Sequence, residues 1–137
     1  MPAARPRNEG NTVLLTNIGY GLSGLLGLAI IGIGTRFLLA PRAAAAGFGI
    51  AIGRDGGSAN PYLSVKGVRD IASGLVVFIL LAAGKPGLLG GFLLAASIIP
   101  VGDAIIVLRG NGPKATVYGV HAATAAVMLA AATFLFV

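Results

Sequence analysis

Uncharged apolar stretches recur along the chain, and each is close to the length needed to cross a lipid bilayer. A helix needs about 20 mostly apolar residues to span the hydrocarbon layer. The pattern predicts four such helices, at about residues 12–35, 66–84, 86–108 and 115–137. The second opens with Lys66, Arg69 and Asp70 and has only 14 uncharged residues after them, whereas the fourth is free of charge for 23 residues. Pro100 predicts a kink in the third.

The connections between these helices indicate how the chain folds. Two are short and rich in Gly and Pro, at residues 84–87 and 109–113, so they force neighbouring helices to run antiparallel. A longer connection contains the clearest loop of the chain, at residues 54–61. We therefore predict an all-α fold, a four-transmembrane-helix antiparallel bundle with one long loop between helices 1 and 2. It forms a single integral membrane domain over residues 1–137, with a flexible N-terminus at residues 1–11.

The composition is typical of a protein that resides in lipid. Hydrophobic residues make up 56% of the chain and charged residues 10%, far below the roughly 25% charged residues of soluble domains. We expect a multi-pass protein of the cell membrane, in contact with the lipid bilayer. The net charge of +6 fits basic loops and anionic lipid head groups rather than nucleic acid, because the sequence has no basic stripe with interleaved aromatic residues. Stripes of Gly and Ala favour close helix packing and a homo-oligomer.

Ionisable residues within the predicted spans are the candidates for function. Each costs about 2.5–3.5 kcal/mol to insert, so each needs a partner or a role. Asp70, Asp103 and His121 lie roughly 6, 9 and 12 Å from the same membrane face, counted along each helix from its end. Antiparallel threading brings Arg36 and Arg69 into the same half of the bundle. The candidate ligand-binding residues are Arg69, Asp70, Asp103, His121 and Tyr118.

Two interpretations of this cluster remain open. The cluster could bind a polar head group or move a proton through its carboxylates, its imidazole and the phenol of Tyr118. Tyr118 precedes His121 by three residues, so the two share a face of the predicted helix. Alternatively, Arg69 pairs with Asp103, Asp70 extends toward the loop, and His121 donates a structural hydrogen bond between helices.

Three functions are compatible with the cluster. The first is a membrane protein with a polar intramembrane pocket that binds a small lipophilic molecule or a proton. The second is a small proton-coupled transporter, and the third is a structural or accessory membrane subunit. No sequence feature requires an enzyme, and we expect neither a cofactor nor a metal. The glycine run at residues 19–24 matches a dinucleotide-binding fingerprint, but it lies inside an apolar helix with no preceding strand.

Several motifs occur in an order that suggests a family. They are the segment at residues 41–50, K-G-V-R-D at 66–70, P-V-G-D at 100–103, and His121 followed by Thr124. Together they resemble a family of small four-helix integral membrane proteins of bacteria and fungi that is catalogued as a domain of unknown function. In size and layout the chain is also similar to DoxX-like proteins, which implies quinone or thiol redox partners. The absence of cysteine argues against a thiol role.

Overall fold

The computed structural model describes residues 7–53 and 59–137, and every regular element within them is helical, which confirms the all-α prediction. The elements are α1 (Arg7–Leu39), α2 (Pro41–Gly47), α3 (Ala59–Ala82), α4 (Pro86–Ala96), α5 (Ile98–Arg109), α6 (Lys114–Thr116), a π-helical segment (Val117–Ala122) and α7 (Ala123–Leu135). α1 begins at Arg7, within the segment predicted to be flexible, and residues 1–6 lie outside the described part of the chain.

Three helical stretches are long and apolar enough to cross a membrane, which supports a membrane protein. They are Asn8–Leu39, Pro86–Arg109 and Lys114–Leu135, and the mean hydropathy of an 18-residue window within each is 1.8, 2.2 and 1.5, respectively. The remaining long helix, α3, has 24 residues and is therefore about 36 Å long. It is less apolar because its first half carries Lys66, Arg69 and Asp70.

The connection between α1 and α3 is more ordered than a simple loop. It contains the short helix α2, which starts at Pro41. α3 already begins at Ala59, with Pro61 in its first turn, where the missing N–H of a proline costs no helical hydrogen bond. The predicted loop at residues 54–61 is therefore helical from Ala59 onward, and residues 54–58 lie outside the described residues.

α1 and α3 pack through glycines that allow their backbones to touch. A methyl group built on Gly34 would lie 2.5 Å from the carbonyl oxygen of Gly67, and one on Gly74 would lie 2.8 Å from that of Gly27. The two glycines on each helix are seven residues apart, so both lie on the same face. The contacts Gly34–Gly67 and Gly27–Gly74 occur in opposite order along the two helices, so α1 and α3 run in opposite directions.

Two apolar clusters lie at opposite ends of the molecule. The larger contains Val77, Leu89, Leu93, Ala131, Ala132 and Leu135. Within it, Gly90 brings α4 against α7, since a methyl group there would lie 3.3 Å from the Ala132 carbonyl. The smaller cluster contains Phe37, Ala44 and Ala45, and it holds α2 against the end of α1.

Regular α-helix is interrupted at two places in the second half of the chain. α4 ends at Ala96 and α5 begins at Ile98, so the third predicted span is broken at Ser97. Pro100 explains the break, because it has no N–H to donate to the Ala96 carbonyl. The second interruption is the π-helical segment Val117–Ala122, a kind of widened turn that often occurs at functional sites.

Candidate ligand cavity

A cavity of about 350 Å³ lies between α1, α3, the α4–α5 stretch and the last helical stretch. One end is apolar, with Leu26, Ile30, Val77, Phe92, Leu93 and Met128 among its lining residues. The other end carries the polar lining residues Arg36, Lys66, Asp70, Ser73, Asp103, His121 and Thr124. Side chains from α2 and the following segment, including Ala44 and Phe48, complete the polar end.

Lys66 and Asp70 form an ion pair on α3. The distance from Lys66 Nζ to Asp70 Oδ2 is 2.5 Å, and the two side chains are 28% and 11% exposed. The same nitrogen lies 4.6 Å from the ring centre of Phe37 and 4.5 Å from that of Phe48, within the range of cation–π attraction. The Lys66 charge is therefore compensated by a carboxylate and by two aromatic faces.

His121 is buried in the π-helical segment and is held by the chain that follows α2. Its Nε2 lies 3.0 Å from the carbonyl oxygen of Phe48. A carbonyl oxygen only accepts hydrogen bonds, so Nε2 carries a hydrogen and donates it. The imidazole also packs edge-on against the Phe48 ring, with 4.3 Å between ring centres. Among the described residues nothing hydrogen-bonds the other ring nitrogen, Nδ1, which is an acceptor when the imidazole is neutral.

Asp103 lies on α5, partly buried, and lines the cavity. The ionisable groups of Lys66, His121 and Asp70 are close enough to act on it electrostatically. Within residues 7–53 and 59–137, however, the ion pair formed is Lys66–Asp70, and Asp103 makes no direct pair. Its carboxyl oxygens are therefore left without a protein partner in that part of the chain.

Three of the five candidate residues predicted from the sequence meet at the cavity: Asp70, Asp103 and His121. Arg69 does not, because it lies on the exposed face of α3. Consecutive residues of a helix point about 100° apart, so the rotation of α3 that points Asp70 into the cavity points Arg69 away from it. The pairing expected between Arg69 and Asp103 is not formed, and Lys66 is the cation that pairs with a carboxylate of the polar end.

Tyr118 also lies away from the cavity, with 62% of its surface exposed. The expectation that it shares a face with His121 assumed the 3.6-residue period of an α-helix. Both residues lie in the π-helical segment, where hydrogen bonds join residues five apart and the turn is wider. A spacing of three residues therefore no longer places the two side chains on one face.

Sequence reasoning missed Lys66 and the two phenylalanines around it as site residues. The i, i+4 spacing of Lys66 and Asp70 was a usable signal for the ion pair. Nothing in the local sequence connects Phe48 to His121, because the two residues are 73 positions apart.

A family model for a domain of unknown function, DUF4267, matches residues 27–135. The chain therefore belongs to this family, and the matched region contains every charged residue that lines the cavity. Searches against curated proteins and against solved structures give no match. The resemblance to a family of unknown function is confirmed, while the similarity to DoxX-like proteins stays a prediction.

Proposed function

We propose that this member of the DUF4267 family is a multi-pass protein of the cell membrane that binds a small lipophilic molecule with a polar head in the cavity between its helices. The observation that carries the proposal is the division of the cavity into a charged end and an apolar end. Binding pockets of this kind are mostly apolar with a few convergent polar groups that fix the ligand's orientation.

The lining residues change from polar to apolar in the same direction along the helices. On α1 the cavity extends from Arg36 to Leu26, and on α3 from Lys66 to Val77. These separations correspond to about 15 Å along each helix axis. The last helical stretch follows the same order, with His121 at the polar end. A molecule with a polar head and an apolar body matches this arrangement.

The volume sets the size of the ligand. A cavity of about 350 Å³ is at the lower end of the roughly 300–1,000 Å³ found for ligand pockets. This size suits a small ring system or a short chain rather than a complete two-chain phospholipid.

The proposal includes four spans in an antiparallel bundle, with α3 as the second span. The glycine contacts between α1 and α3 support it, as does the length of α3. Lys66 lies near the end of the apolar part of α3, where a long basic side chain can reach the membrane interface. Single cysteines at Ser58 and Asn111 should then be labelled from one side of the membrane, and a cysteine at Lys85 from the other. Labelling of Ser58 and Asn111 from opposite sides would contradict four spans.

The ligand proposal is tested by filling the cavity. Ala96 lines it, whereas its neighbour Ala95 is exposed and does not. We expect Ala96→Phe to remove lipophilic adducts that co-purify with the protein in native mass spectrometry, and Ala95→Phe to keep them. An unchanged set of adducts on Ala96→Phe, at unchanged thermal stability, would contradict binding in this cavity.

Proton-coupled transport is the second candidate, and one observation favours it. Asp103 and His121 are ionisable groups within helices long enough to span the membrane, where such residues often belong to proton pathways. Reconstituted vesicles with an imposed pH gradient provide the test. A proton flux that Asp103→Asn abolishes would favour transport over ligand binding alone.

A further inference from the structure

We infer that the cavity selects an uncharged head group with a hydroxyl, an alcohol or a phenol, which donates its hydrogen to Asp103 or His121. This inference rests on the proposed function and adds the chemical class of the ligand. It follows from two properties of the polar end: its charge balance and the direction of its hydrogen bonds.

The charges at the polar end balance. The charged lining residues are two cations, Arg36 and Lys66, and two carboxylates, Asp70 and Asp103. With His121 neutral the sum is zero. A head group with its own charge would leave a net charge among apolar walls, and an uncompensated charge in such surroundings is costly. An uncharged head group avoids that cost.

The hydroxyl and imidazole hydrogens that the protein itself offers at the polar end already have acceptors. The Ser73 hydroxyl donates to the Arg69 carbonyl at 2.9 Å, and the Thr124 hydroxyl to the Val120 carbonyl at 2.7 Å. His121 donates its Nε2 hydrogen to a backbone carbonyl.

The two cations, Lys66 and Arg36, also have partners for their N–H groups. Lys66 is held by Asp70 and lies against two aromatic rings. Arg36 lines the cavity and so counts in its charge balance, but it is also exposed, so water can accept the hydrogens of its guanidinium.

The polar groups of the cavity that still lack a hydrogen-bond partner among the described residues are acceptors. Asp103 offers carboxylate oxygens, and neutral His121 offers the Nδ1 lone pair. An ether or a ketone has no hydrogen to donate and would leave these acceptors unpaired where it displaces water from the cavity. A hydroxyl supplies the missing hydrogen, and a site built for such a bond discriminates strongly against analogues that lack it.

Naphthalene derivatives with one body and different head groups provide the test. The probes are 1-naphthol, 1-naphthalenemethanol, 1-methoxynaphthalene, 1-naphthoate and 1-naphthylmethylammonium, titrated into the purified full chain in detergent at neutral pH. The chain has no tryptophan, so probe fluorescence is read without interference from indole. The Ala96→Phe protein in the same detergent gives the signal from probes that only partition into micelles.

We expect a hydroxyl probe to bind at least tenfold more tightly than methoxynaphthalene and than either charged probe. Comparison of naphthol with naphthalenemethanol shows whether the natural head group is a phenol or an alcohol. Asp103→Leu should weaken hydroxyl binding without changing methoxy binding, and should leave only the preference that His121 Nδ1 supplies. Asp103→Asn, which keeps an acceptor oxygen, should weaken hydroxyl binding less.

Two results would overturn the inference in different ways. If the methoxy or a charged probe binds as well as the hydroxyl probes, and Ala96→Phe blocks all of them, the cavity binds lipophilic molecules but does not select hydroxyl groups. If no probe distinguishes the native protein from Ala96→Phe, the proposed function itself fails.

Discussion

The contact between α1 and α3 makes a quantitative prediction for the substitution Gly34→Ala. The added methyl group would lie 2.5 Å from the Gly67 carbonyl oxygen and 2.9 Å from the Ile71 side chain. Ordinary contact begins near 3.4 Å. A backbone oxygen cannot rotate away as the tip of a flexible side chain can, so α3 itself must move.

The expected cost follows from the balance of two effects. Overpacking a closely packed contact costs typically about 1–3 kcal/mol, and we place Gly34→Ala in the upper part of this range because the clash is with backbone. Alanine is favoured over glycine inside a helix by roughly 1 kcal/mol. The net loss for Gly34→Ala is therefore about 1–2 kcal/mol.

Gly32 is a matched control on the same helix. It is exposed, and among the described residues nothing lies within 4 Å of a methyl group built on it. Gly32→Ala should leave the free energy of unfolding unchanged or raise it by up to about 1 kcal/mol. The two variants should thus differ by roughly 2 kcal/mol, although they introduce the same methyl group two residues apart.

Unfolding by sodium dodecyl sulfate in mixed micelles, followed by circular dichroism, measures this difference. The double variant Gly34→Ala/Gly67→Ala provides a further check. Both methyl groups force the same separation of the helices, so the double loss should be smaller than the sum of the single losses. Equal stability of Gly34→Ala and Gly32→Ala would refute the packing of α1 against α3 through glycine.

Two further predictions concern the polar end of the cavity. Lys66→Met leaves Asp70 without its cation and should lower the free energy of unfolding by about 2 kcal/mol, less than for a fully buried pair because Lys66 remains partly exposed. Lys66→Met/Asp70→Leu should recover most of this loss, and a double variant as unstable as the single one would contradict a direct pair. His121→Ala removes the bond to the Phe48 carbonyl and should cost about 1–3 kcal/mol, with faster amide hydrogen exchange in residues 49–53. Unchanged exchange there would show that His121 does not anchor this segment.

The sequence was sufficient for the helical class and for bringing Asp70, Asp103 and His121 to one cavity, because both depend on position along the chain. It did not establish how α3 is rotated about its axis. Asp70 and Arg69 are equally compatible with an inward stripe that includes Ser73, so periodicity alone could not choose between them. The choice is made by Gly67 and Gly74, which fix the face of α3 that touches α1. Glycines seven residues apart in both helices were the signal that could have set the rotation.

Two features of the candidate site had no local signal. The π-helical segment changes the period of the last helical stretch, which is why Tyr118 and His121 separate. Helical propensities do not distinguish such a segment from regular helix, because tertiary contacts decide it. The position of Phe48 against His121 is likewise a long-range contact, between residues 73 positions apart in the sequence.

Part of the cavity wall comes from the connection after α1 rather than from a long helix. A spanning helix must keep about 20 mostly apolar residues, which leaves its sequence little freedom to diverge. Connecting segments tolerate substitutions and insertions far better. Because Ala44 and Phe48 belong to such a segment, relatives could evolve new ligand preferences by changing residues 41–53 alone. Grafting this short segment from one family member to another would then transfer selectivity while leaving the membrane-embedded scaffold as it was.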